Sequence, residues 1–144
     1  MVYFLGTAGP LPLVAWSPET PAFHIGELSA SESSIISHFE TASVVRYLGS
    51  HLQCGCGFRC DTLGMEADEA AGKQESHDRL ADYLVALPKD AHPVQIYGCW
   101  SGEEAEPTEH LRRVSVDRLR EADFEFRERE LLTISFRGPA TSRR

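Results

Sequence analysis

The clearest hydrophobic period along the chain is helical. Leu80, Tyr83, Leu84 and Leu87 fall at i, i+3, i+4 and i+7, which gathers them on one face of a helix. Ser76 is expected to cap its start. Pro88 closes it, because a proline disfavours helical backbone at the residue before it. A second helix is predicted over about Ala30–Phe39. There Ser29 and Glu32 match the S-x-x-E capping box, and Ile35, Ile36 and Phe39 follow at helical spacing.

Elsewhere the pattern is that of strands. Val2–Leu5 is short, aromatic and β-branched. Val44–Leu48 is a nearly continuous run of β-forming residues ending at Gly49. Val94, Ile96, Gly98 and Trp100 alternate with Gln95, Tyr97 and Cys99. The last two segments read as interior strands and are expected to be neighbours. Phe23–Leu28 is a weaker strand and Arg112–Val116 a further one, with Asp117 capping one helical turn through Glu121. Phe124 and Phe126 share parity with Leu132, Ile134 and Phe136, which fits two strands joined near Arg129 or one bent strand.

Gly6–Pro21 holds four prolines and two glycines and reads as a loop. Its Leu11, Leu13, Val14 and Trp16 are apolar enough that they are expected to pack on the core. Asp61–Glu75 is polar, contains Gly64 and Gly72, and reads as a mobile loop. The order, roughly β-β-α-β-α-β-β-β-β, predicts a single α+β domain over residues 1–137. A mixed or mostly antiparallel sheet would pack against two main helices, and 138–144 would form a flexible tail. No internal repeat or linker divides the chain.

The length of 144 residues suits one domain that can bury its own core without a disulfide or a metal. Charge narrows the partners. Fourteen basic against twenty-two acidic residues give a net charge of −8, which opposes binding to nucleic-acid phosphates and to anionic membranes. The apolar start lacks a positive leading segment and is broken by Gly6, Gly9, Pro10 and Pro12, unlike a signal peptide. No apolar run reaches the roughly 18 residues of a membrane helix. The expected setting is the cytoplasm, where thiols stay reduced.

One chemical cluster stands out. Cys54, Cys56 and Cys60 lie within seven residues, with Cys99 on a later strand. Four thiolates can hold zinc tetrahedrally, and His51 is an alternative ligand. Gly55 and Gly57 would let the backbone curl and turn the sulfurs inward. The spacing is irregular for zinc, however, because Cys54 and Cys56 are too close and Cys99 has no mate. Buried thiols in a tight turn therefore outweigh the zinc site, and a reactive thiol ranks third. Gly55–Phe58 with Arg59 also offers backbone N–H groups to an anion.

The G-x-S-x-G, H-E-x-x-H and phosphate-loop patterns are absent. Glu103 and Glu104 read as a solvated acidic turn. The remaining histidines read as surface or packing residues, and Trp16 and Trp100 as core. The leading functional expectation is a non-catalytic protein-binding or regulatory module. The alternative is a zinc- or thiol-dependent protein built on the cysteine cluster.

Overall fold

The computed structural model describes residues 1–19, 23–59 and 67–136. Six strands run in chain order: β1 (Val2–Thr7), β2 (His24–Gly26), β3 (Val44–Gly49), β4 (Val94–Cys99), β5 (His110–Ser115) and β6 (Glu130–Ser135). They form one mixed sheet in the order β2-β3-β1-β4-β6-β5. Only the β5–β6 pair is parallel. The expected α+β class with a mixed sheet is what the chain adopts.

The centre of the sheet follows from β1. Tyr3, Phe4 and Leu5 are all fully buried, and strand alternation sends them to opposite faces. Tyr3 and Leu5 join the larger core beneath the helix α1 (Ala67–Ala86). Phe4 joins a smaller core with Ile35, Phe39, Tyr97 and Leu131 on the other face. A strand apolar on both faces gains most by lying between two others. β3 and β4 are accordingly interior strands but not neighbours, because β1 pairs with both.

The smaller core is roofed by the residues expected to be the first helix. They form a 3₁₀ helix over Ala30–His38, and Glu32 Oε1 accepts the Ser29 N–H at 2.9 Å as the capping box requires. On the larger core, Leu80 and Leu84 of α1 and Leu87, just past its end, are buried as their spacing predicts, while Tyr83 is half-buried. Pro88 follows the helix end. The start differs, because α1 begins at Ala67 and Ser76 is a buried mid-helix residue rather than a cap. The inward stripe continues backwards through Lys73, Ser76 and His77, whose polarity imitates a loop. The Lys73 ammonium donates to Phe124 O at 3.2 Å and pairs with Glu125 at 2.8 Å.

Other expectations are corrected near the end of the chain. Phe124 and Phe126 lie on no strand. They are buried in the larger core from an irregular segment whose carbonyls accept from Lys73 and Arg112 instead of a neighbouring strand. Ser115, not Asp117, caps the 3₁₀ turn Val116–Arg120, its Oγ accepting the Arg118 N–H at 3.3 Å. Trp100 is 44 % exposed and Leu13 53 % exposed, so neither is a core residue, whereas Leu11 is buried. The mobile loop falls partly on α1 and partly on residues 61–66, which lie outside the described residues, as does the 138–144 tail. Among the described residues, no helix is long and apolar enough to cross a membrane.

Candidate functional site

The cysteine turn leaves the end of β3 and is shaped by Ser50 rather than by sulfur. Ser50 is fully buried, and its hydroxyl donates to Cys54 O at 2.6 Å. The same oxygen accepts the N–H groups of Leu52 and Gly57, both at 3.1 Å. One donor and two lone pairs are thereby all used. Gln53 completes the bend with φ 74°, in the left-handed region, and donates its N–H to Ser50 O at 3.0 Å. A short 3₁₀ turn, Gly55–Phe58, follows.

The glycines serve close approach, since neither Gly55 nor Gly57 has a positive φ. A Cβ on Gly55 would stand 2.6 Å from the Tyr3 ring, and one on Gly57 would overlap Ser50 Oγ and the His51 ring. The expectation that they turn the sulfurs inward is thus replaced by a packing role.

Two helix side chains hold the turn down. The His51 N–H donates to Ser76 Oγ at 3.0 Å, and His51 Nδ1 pairs with the same oxygen at 2.9 Å. The ring lies over Gly72, where a Cβ would be 2.5 Å from Nε2. His51 O accepts the Trp16 indole N–H at 3.0 Å. His77, one residue on, donates from Nε2 to Phe58 O at 3.0 Å. That hydrogen bond assigns the proton to Nε2 and leaves Nδ1, which has no partner among the described residues, unprotonated.

Burial holds His77 below its usual pKa of 6.5. The Phe58 carbonyl works the other way, and the nearby Lys73 charge adds to the depression. Burial also lowers His51 and His24. In the unfolded chain these rings take up protons near pH 6.5, so below that pH the unfolded state binds more protons than the fold. Their contribution is full above about pH 7.5 and is lost as pH falls through 6.5 toward the folded values. We expect the thermal midpoint to drop between about pH 7.5 and about pH 5, and to drop less in His77→Gln. Equal pH slopes in the two proteins would refute the role of His77.

On this scaffold Cys56 is exposed and Cys54 half-buried. The neighbouring Cys54 thiol, aided by burial, keeps the Cys56 proton on above the ordinary thiol value of 9.0. Arg59 is exposed, its guanidinium 5.5 Å from the centre of the Trp100 ring. The Tyr3 hydroxyl is buried with no partner among the described residues.

Cys99 is elsewhere. It is fully buried in the smaller core, whereas Phe58 of the turn belongs to the larger one. Burial, with Glu104 and Glu103 adding, pushes its thiol up to about 12. Cys60 lies outside the described residues. Among the described residues, no three of His, Cys, Asp or Glu are grouped to hold a metal ion.

The sequence did not show that Ser50, Ser76 and Trp16 meet at this turn. Only Ser76 carried a signal: it sits four residues before Leu80 and eight before Leu84, in phase with the apolar stripe. The chain matches no family model, no characterised protein and no solved structure, so the thiol turn is interpreted from its own geometry.

Proposed function

We propose that this chain is a dithiol protein, acting through reversible oxidation of Cys54 and Cys56 by a small disulfide. The supporting observation is an exposed thiol two residues from a second, half-buried one, on a turn pinned by the Ser50 hydroxyl. A dithiol couple needs two sulfurs and nothing more. This reading departs from the leading expectation of a non-catalytic module and takes up its alternative.

The chemistry balances without a further reactant. Cys56 loses its proton to solvent, and the thiolate attacks one sulfur of the small disulfide. The outer S–S bond breaks, and the first thiol leaves with a proton. The Cys54 thiolate then attacks Cys56 Sγ, releasing the second thiol and closing the Cys54–Cys56 disulfide. Two protein thiols are oxidised as one disulfide is reduced to two thiols. Because only the thiolate attacks, and Cys56 holds its proton unusually well, the rate should still be rising with pH at pH 9.

Incubation of the reduced protein with oxidised glutathione, followed by intact-mass measurement and peptide mapping, tests the proposal. The wild type should lose two hydrogen atoms and link Cys54 to Cys56. Cys54→Ser should stop at a glutathione adduct on Cys56, Cys56→Ser should form none, and Cys99→Ser should behave as wild type. An unmodified wild type, or an adduct confined to another cysteine, would overturn it. A zinc role for the same turn needs two further ligands. Zinc retained by the wild type and released by Cys60→Ser would favour that role instead.

A further inference from the structure

The two edges of the sheet are finished differently. β2 is three residues long, and its outer side is covered by an isolated bridge: Val14 N donates to Ile25 O and Ile25 N to Val14 O, each at 3.0 Å. β5, at the opposite edge, is six residues long and pairs only with β6 among the described residues. An open edge of that length is a template for another strand. β5 has no proline, and its register with β6 runs unbroken from His110 to Ser115, so no bulge turns it away.

Its side chains select the partner. Leu111 and Arg113 lie opposite Leu131 and Thr133, on the face of the smaller core. Leu111 is 78 % exposed. Arg113 is exposed and makes no ion pair among the described residues, whereas Arg112, on the other face, is tied to Glu130. A groove of about 280 Å³ runs between Leu111, Arg113, Leu131, Thr133 and Glu40. Glu40 is already engaged by the Gln95 amide at 3.1 Å.

A second copy of the chain fits poorly. Directly opposed residues share a face, so the two antiparallel registers of greatest overlap between two β5 strands set Arg112 against Arg112 or Arg113 against Arg113, and like charges placed directly opposite are destabilising. Arg113, unpaired among the described residues, suits an acidic strand.

We propose that β5 is the docking edge for an extended acidic segment of a partner protein. The segment adds as a further strand, setting an apolar side chain against Leu111 and, two residues along on the same face, a carboxylate against Arg113. Main-chain hydrogen bonds supply affinity and these two positions supply selection.

The test uses the full chain and a displayed library of random nonapeptides. Enriched peptides are synthesised and titrated by fluorescence anisotropy against the wild type, Arg113→Glu and Leu111→Ser, with circular dichroism to check that both variants fold. Both positions are exposed, so the spectra should be unchanged. The expected consensus is a carboxylate two positions from an apolar residue. Binding should weaken about tenfold or more in Arg113→Glu, a loss of about 1.4 kcal/mol. Failure to enrich any peptide, a consensus without an acid, or binding indifferent to Arg113→Glu overturns the proposal. Sedimentation showing a dimer that Arg113→Glu dissolves would also overturn it, by assigning the edge to a second copy.

Discussion

Leu84→Ala is expected to lower the stability of the fold by about 2–5 kcal/mol, the range for deleting a buried leucine side chain. Leu84 has no exposed surface, and it sits in the larger core between Leu80 and Leu87, the latter just past the end of α1. The cost has two parts: the apolar atoms no longer removed from water, and the cavity that the backbone cannot close. That backbone is anchored at both ends of the stripe. Lys73 is bonded to the 124–125 segment, and the Tyr83 hydroxyl donates to Pro12 O at 2.6 Å. Such anchors limit collapse and favour the upper half of the range. Urea denaturation should show a lower midpoint with an unchanged slope. A loss under about half a kilocalorie, well below the range for a buried leucine, would remove Leu84 from the core.

Glu130→Ala should be comparably damaging, at about 3 kcal/mol, the lower end for removing one partner of a buried ion pair. The Glu130 side chain is 1 % exposed and its Oε1 accepts from Arg112 Nη2 at 2.9 Å. Arg112 is 23 % exposed by side chain, so water relieves part of the stranded charge, which sets the estimate low in the range. The guanidinium also donates to Glu125 O and lies 5.1 Å from the centre of the Phe124 ring, so it cannot simply swing out. Glu130→Gln, which keeps an acceptor, should cost less. Adding Arg112→Leu to Glu130→Ala should recover part of the loss, because no charge is then left unpaired. A double variant less stable than the single one would show that the pair acts through shape rather than charge.

These two residues also mark what the sequence could and could not disclose. Leu84 was legible because an apolar side chain announces its burial by spacing alone. Glu130 was not, since nothing around it distinguishes a buried carboxylate from a solvated one. The partner that permits burial, Arg112, is eighteen residues away along the chain. The same reason hid the first half of α1. Lys73 and His77 are inward because Phe124 O, Glu125 and Phe58 O are there to meet them, and those groups are distant in sequence. The α+β class survived because it depends on the apolar periods. The place of β1 between β3 and β4 did not, since pairing depends on which strand can be buried on both faces.

The candidate site divides along the same line. Three cysteines around two glycines drew notice on composition. The closeness of Cys54 and Cys56 followed from their spacing, whereas the position of Cys99 needed the tertiary fold. Ser50 gave no sign, because a serine after a strand is ordinary. Its three hydrogen bonds exist only once the turn is closed.

The central position of β1 bears on how the protein is made. β1 emerges before both of its partners, which are residues 44–48 on one side and 94–99 on the other. A growing chain therefore carries Tyr3, Phe4 and Leu5 without their full cover until Cys99 has left the ribosome. Pairings this distant in sequence slow folding and leave an apolar strand open to the wrong neighbours. The segment that anchors the finished sheet is the one most in need of protection while the chain is incomplete.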